Sequence, residues 1–136
     1  MIVADANLIA YLILPGERTE EAEAVLEADA VWAVPALWAS EMRSILGHYV
    51  RAKKLSVAQA SAAMDRASSL IDGREGPVES RDVLMLSSKS GCSTYHCEYV
   101  SLAISLGVPL VTSDKEVLHA FPRIAVSPGV FCSHAN

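Results

Sequence analysis

Short apolar runs alternating with helical patterns predict an α/β fold of three layers, α/β/α, with a parallel sheet of about five strands at its centre. Three observations carry the expectation. Residues 1–4, 31–35 and 108–112 are continuous apolar segments of strand length. The segments between them place apolar side chains three and four residues apart, the spacing of a helix with one buried face. Turn and breaker residues (Pro15-Gly16, Pro35, Gly73, Gly91, Gly107) separate the segments.

Taken in order, residues 1–4 read as a buried strand ending at Asp5, and "NLIAYLIL" as a short helix stopped by Pro15-Gly16. The next helix, "ERTEEAEAVLEADA", has Ala22, Val25 and Leu26 as its apolar stripe and its glutamates as the solvated face. "VWAVP" is the second strand. In "ALWASEMRSILGHYVRAKKL" the residues Trp38, Met42, Ile45 and Tyr49 repeat at helical spacing, widened by Leu46 and Val50. Ser56 is placed to cap a helix over 57–72 that Gly73 ends. A third strand falls within "GPVES", and a helix follows in "RDVLMLSSKSG". Ser93 or Thr94 caps the next helix, with Tyr95, Tyr99, Leu102, Ala103 and Leu106 on one face and Gly107 at its end. "VPLVT" is the fourth strand, "KEVLHAF" a short helix and "RIAVS" the fifth strand. The 136 residues fit one domain, with no repeat, linker or low-complexity tract.

Composition narrows the function classes. Apolar residues make up 51% of the chain and charged residues 20%, as in a globular protein. No apolar run approaches the roughly 20 residues of a membrane span, and "MIVADANL" lacks a basic leader, so a cytoplasmic protein is expected. Three cysteines without a CxxC pair point to reduced thiols, and "CSH" at 132–134 offers too few ligands for a metal site. A net charge of −5 argues against broad, charge-driven binding to duplex nucleic acid, though an acidic nuclease with local basic patches remains compatible.

Asp5 and Asp114 each directly follow an apolar strand. In an open parallel sheet, ligands bind beyond the carboxyl ends of strands where the strand order reverses, so strands one and four side by side would bring both aspartates to one crevice. Each aspartate is equally suited to a turn or a helix N-cap. Glu41 lies at the margin of an apolar helical stripe, where it either reaches solvent or, if buried, implies a metal or a cationic partner. Three such carboxylates can hold a hard cation such as Mg²⁺, which activates water and stabilises charge on a phosphodiester. Asn7 could position a carboxylate, contact the scissile phosphate, or cap a helix. Lys115, beside Asp114, and Arg51, at the end of a basic helix segment, are candidate phosphate contacts; the Arg51–Lys54 cations also suit a helix C-terminus. Leu8, Ile9, Leu12 and Ile13 offer more apolar surface than one helix face buries, which fits either an interface or the core.

The segments "MIVADANLIAYLI", "VPALWASEMRSIL" and "STYHCEYVSLAISLGVPLVTSDKEVL" resemble the PIN domain family, and most closely its VapC-type toxins, over nearly the whole chain. The block from Tyr95 to Asp114 is the most specific part. The resemblance implies a five-stranded parallel sheet with a pocket of four acids at its carboxyl edge. It implies a Mg²⁺- or Mn²⁺-dependent endoribonuclease acting on single-stranded or structured RNA, a homodimer, and an antitoxin protein as partner. Position by position, Asp5 matches the first acid, Glu41 the second and Asp114 the fourth, while the third falls on His96. The resemblance thus puts Asp5, His96 and Asp114 forward as metal ligands, with Glu41 completing the catalytic set.

His96 departs from that pattern. It lies early in a helix, where free N–H groups and the dipole favour an anion. Neutral imidazole still binds divalent ions, and suits Mn²⁺, Fe²⁺ or Zn²⁺ better than Mg²⁺. Glu98 is a poor replacement, since two residues along a regular helix it points about 160° away. His96 is also compatible with a polar residue beside a pocket built by others, or with a catalytically impaired PIN-fold protein that binds RNA or a partner. A haloacid-dehalogenase-type enzyme would want an aspartate where Asn7 stands, and a receiver domain would want an acidic pair at strand one and an acceptor aspartate after strand three.

Overall fold

A computed structural model describes residues 1–135. The elements are β1 (Ile2–Ala4), α1 (Ala6–Ile13), α2 (Thr19–Ala28), β2 (Trp32–Pro35), α3 (Trp38–Arg51), α4 (Val57–Ile71), β3 (Glu75–Gly76), α5 (Ser80–Ser90), α6 (Thr94–Leu106), β4 (Leu110–Val111), α7 (Lys115–Ala120), β5 (Ala125–Val126) and α8 (Pro128–Ala135). The strands form one sheet in the order β3-β2-β1-β4-β5, and every neighbouring pair is parallel. This is the α/β architecture that the alternating pattern predicts, with β1 at the centre and β4 beside it.

Side-chain alternation along the strands divides the core into two layers. Ile2, Ala4, Trp32, Val34 and Val111 face α1 to α4, where Leu8, Ile9, Val25, Met42 and Ile71 are buried against them. Val3, Ala33, Leu110 and Ala125 face the other way, onto Tyr99, Val100, Leu102 and Ala103 of α6 and Val117 of α7. Packing settles the apolar excess of α1: Leu8 and Ile9 are core residues, and Leu12 and Ile13 pack at its edge. Cys92 and Cys97 are reduced, buried thiols packed around Val83.

Local chemistry fixes the helix ends. Ser56 caps α4 through a full capping box, its hydroxyl accepting from the Gln59 N–H while the Gln59 side chain accepts from the Ser56 N–H. Gly91 and Gly107 adopt left-handed conformations after α5 and α6, satisfying late helix carbonyls.

Three segments differ from expectation. The third strand is Glu75–Gly76 and does not run through "GPVES", because Pro77 has no N–H to continue the ladder. On α6, Tyr95 and Leu106 lie outside the buried face, at 62% and 43% exposure, because they fall in the first and last turns of the helix, beyond its packed middle. Helix α8 follows β5 and packs Phe131 against the core edge, a helix the periodicity did not suggest. Its sequence signal is Ser127 accepting from the Val130 N–H with Pro128 at the first helical position.

Gly76 marks a close approach of β3 to α6. A β-carbon there would overlap Cδ1 of Leu102, a fully buried residue. Gly76→Ala is expected to destabilise the fold by about 1–3 kcal/mol through overpacking, measured by urea unfolding.

Candidate active site

The carboxyl edge of β1 and β4 is where the strand order reverses, the position at which α/β sheets bind ligands. Register places Asp5 one residue beyond β1 and Thr112 one beyond β4, and the Asp5 N–H donates to the Val111 carbonyl at 3.2 Å. The Thr112 hydroxyl, 1% exposed, donates to Asp5 Oδ2 at 2.6 Å and accepts the Asp114 N–H at 3.1 Å. One threonine therefore ties the first aspartate to the backbone of the last. Asp5 occupies the N-cap position of α1 but makes no side-chain capping bond, and Asn7 is the exposed second residue of that helix. Asp114 does cap: its Oδ1 accepts from the Val117 N–H at 2.9 Å, while Oδ2 lies 3.4 Å from His96 Nε2.

His96 stands in the first turn of α6, its N–H held by the Ser93 hydroxyl at 3.2 Å. Its other ring nitrogen, Nδ1, is buried and has no hydrogen-bond partner. Glu41, in the first turn of α3, accepts a 2.5 Å hydrogen bond from the Tyr99 hydroxyl. Glu41 is half-buried, and the partner it meets is a phenol from α6 where the sequence suggested a metal or a cation, with His96 also acting on it electrostatically.

Burial pushes the Asp5 carboxyl above its ordinary range; the Thr112 hydroxyl, the Asn7 backbone N–H and His96 pull it down, and Asp114 adds to the rise. Glu41 is likewise raised, first by burial and then by the Asp5 and Glu98 charges, against Tyr99 and His96. Burial and the Glu41 charge push the Tyr99 phenol far up, so it remains a proton donor to that carboxylate. These mutual influences put Asp5, Glu41, His96 and Asp114 in one electrostatic neighbourhood although they are far apart in sequence.

His96, Asp114 and Glu116 each offer a ligand atom, and these atoms lie within 4.8 Å of one another. Asp5 is outside that tightest group, its carboxylate bonded to Thr112. Carboxylates gathered beside one imidazole, whose Nε2 faces Asp114, fit a divalent cation. Glu98 lines a groove beside α5 with Val83 and Leu84, and its charge reaches Glu41. Lys115 is exposed at the first residue of α7, next to Asp114. Arg51 ends α3, ten residues past Glu41 and so about 15 Å away along the helix; it lines a groove between α3 and α4 with Arg43, Val50 and Met64.

Sequence reasoning missed Thr112, Tyr99 as the partner of Glu41, and Glu116. Glu116 had a signal, an acid two residues past an aspartate that caps a helix. Thr112 had one in its place two residues before that aspartate, on the neighbouring strand. Tyr99 had none, since its contact joins α3 and α6. Tyr99→Phe is expected to leave Glu41 short of a partner and to cost about 1–3 kcal/mol in stability, read by chemical denaturation.

Comparison with known proteins agrees with this arrangement: the PIN domain family matches residues 2–126, and the chain belongs to that family. It is 31% identical to Ribonuclease VapC3 of Pyrobaculum aerophilum over 128 residues, covering 90% of this chain and 96% of the relative, which supports the VapC-type branch. The crystal structure of PAE2754 from Pyrobaculum aerophilum superposes with a TM-score of 0.78 at 20% identity, covering 98% of this chain and 95% of that one; at that identity the likeness concerns the fold.

Proposed function

We propose that this protein is a metal-dependent endoribonuclease that cleaves single-stranded or structured RNA and serves as the toxin of a type II toxin–antitoxin pair. The observation that carries the reading is the meeting of Asp5, Glu41 and Asp114 around His96 at the carboxyl edge of the sheet, with burial raising both Asp5 and Glu41. The identity with Ribonuclease VapC3 supports it.

In this reading Asp5, His96 and Asp114 hold a Mg²⁺ or Mn²⁺ ion. Such an ion supplies charge neutralisation and Lewis acidity at a phosphodiester. The chain's own groups do the rest. Glu41, held by Tyr99 with its pKa raised, accepts a proton from attacking water. Thr112 fixes the Asp5 carboxylate so that the acids do not rearrange when substrate arrives. Asn7 and Lys115 contact phosphate near the acids, and Arg51 contacts it farther along the strand.

The reading includes a homodimer, with Leu84, Met85 and Ile104 as exposed apolar side chains on α5 and α6 available to a second copy. It also includes an antitoxin protein, whose acidic, apolar segment suits the groove where Arg43 and Arg51 flank Val50, Val57 and Met64. No helix among the described residues is long and apolar enough to cross a membrane, and a cytoplasmic location belongs to the proposal.

His96 supports a second reading, a PIN-fold protein without catalysis that binds RNA or a partner. Cleavage of end-labelled single-stranded RNA by purified protein separates the two. The nuclease reading expects cleavage with Mn²⁺ or Mg²⁺ at least about a hundredfold faster than with EDTA. RNA binding without cleavage under any divalent ion would favour the second.

A further inference from the structure

A cleft with aromatic walls opens beside the acids, between α1 and α3, lined by Asn7, Tyr11, Arg18, Ile45 and Tyr49. We infer that this cleft is a subsite in which one base of the RNA stacks on Tyr11 and Tyr49, one or two nucleotides from the scissile phosphate. This rests on the proposed function for RNA as the ligand, and goes beyond it by naming what holds the strand in register beside the acids.

Helical spacing leads from the acids into the cleft. On α3, Glu41, Ile45 and Tyr49 repeat every four residues, so the stripe that begins at the second acid ends at an aromatic wall. On α1, Asn7 and Tyr11 are four residues apart on one face, and the Asn7 N–H bonds the Asp5 carboxylate. Arg18 closes the third side. It donates to the Ser113 hydroxyl at 2.9 Å, one residue before Asp114, and to the Tyr11 hydroxyl at 3.1 Å. Its guanidinium carbon lies 4.6 Å from the Tyr11 ring centre. Arg18 therefore fixes Tyr11 to the loop that carries the last acid, and the cleft is continuous with the site.

The lining suits a base better than a phosphate. Arg18 is engaged by Glu21 at 2.8 Å, and Glu17 adds an acid, so the cleft holds no spare positive charge. A base asks for planar faces and for donors and acceptors at its edge. The two half-buried tyrosines supply the faces, and the exposed Asn7 amide supplies an edge contact. Lys54 places its ammonium 5.9 Å from the Tyr49 ring centre, where it can meet a phosphate next to the stacked base. Stacking also accounts for how a chain of net charge −5 grips RNA with few cations. A protein segment is the other occupant such a cleft could take, and its continuity with the acids favours the strand on which they act.

The test pairs binding with cleavage, using short single-stranded RNAs that carry 2-aminopurine or an abasic nucleotide at each position in turn. In EDTA, the wild-type protein is expected to quench 2-aminopurine at one position, and Tyr49→Leu to abolish the quenching and weaken binding by about tenfold. With Mn²⁺, Tyr49→Leu is expected to raise KM about tenfold and keep kcat within about twofold. An abasic nucleotide at the quenched position should raise the wild-type KM equally and leave that of Tyr49→Leu unchanged, a coupling that a merely structural role for Tyr49 does not produce. Circular dichroism checks that Tyr49→Leu folds, and the abasic scan on the wild-type protein stands without any variant. Cleavage in which no base position matters, or a wild-type KM in Tyr49→Leu, overturns the inference and leaves the nuclease reading intact. RNA bound without quenching at any position gives the cleft to another occupant, such as a protein segment, and also overturns it. Quenching that Tyr49→Leu abolishes, in a protein that cleaves nothing, upholds the subsite and removes the nuclease reading. Neither binding nor cleavage removes both.

Discussion

Asp5→Asn is expected to lower metal-dependent RNA cleavage by about a hundredfold or more while making the metal-free protein more stable. The two effects share a cause. Asp5 is a buried carboxylate beside Asp114, and both circumstances penalise its charge. Because its folded pKa lies above the unfolded value, its contribution to the stability of the metal-free fold is fully present below the unfolded pKa. That contribution is lost as pH rises through the folded pKa. At neutral pH the wild-type protein carries this cost, and the neutral amide of asparagine removes it. A gain on the order of 1 kcal/mol corresponds to about 3–6 °C in Tm for a domain of this size. The amide keeps the shape of the side chain and can accept from Thr112 as the carboxylate does. It does not replace the charge that helps hold a cation. Wild-type protein should therefore gain about 2.7 kcal/mol when Mn²⁺ is a hundredfold above its Kd, and Asp5→Asn much less. Thermal unfolding with and without Mn²⁺, run beside the cleavage assay, reads all three. A destabilised Asp5→Asn, or one that cleaves at the wild-type rate, contradicts the role assigned to Asp5.

The fold was legible because its signals are local and repeated. Strand length, helical spacing, the Ser56–Gln59 cap and the glycines at 91 and 107 each act within a few residues of themselves. Where the reading slipped, the deciding contact was distant or the element short. The third strand is two residues that a proline cuts off. The buried face of α6 stops short of its two ends, which periodicity does not report. The site divides in the same way. Asp5 and Asp114 were visible from their places after apolar strands, and the strand order then set them side by side. That Thr112 joins them, and that Glu41 is met by Tyr99, depends on side chains separated by 107 and 58 residues. A position such as that of Thr112 before Asp114 hints at a site residue, but which partner it meets is set by the fold. The departure at His96 was legible too, yet its bare nitrogen is a feature of packing alone.

His96→Asp is expected to raise Mg²⁺-dependent cleavage by about tenfold. His96 occupies the first turn of α6, with its N–H already capped by Ser93. The positive end of the helix favours an anion there by roughly 0.3–1 kcal/mol, so aspartate suits the local backbone. An aspartate also gives the site an additional oxygen ligand of the kind Mg²⁺ prefers, and one more negative charge to hold it. The opposing effect is repulsion. Asp5 and Glu41 lose the imidazole that draws their pKa values down and gain a carboxylate, so both should rise further. The metal-free variant should accordingly unfold at a lower temperature than wild type and recover the difference as Mg²⁺ is added. Whether catalysis gains or loses depends on which is larger, the new affinity for Mg²⁺ or the crowding of carboxylates, and a bound divalent ion decides it by neutralising the crowd. Cleavage rates at saturating Mg²⁺, with Tm measured across the same titration, test the balance. A Mg²⁺-supported rate unchanged or lowered would mean that His96 is not at the third acid position, or that its imidazole is itself the ligand on which activity depends.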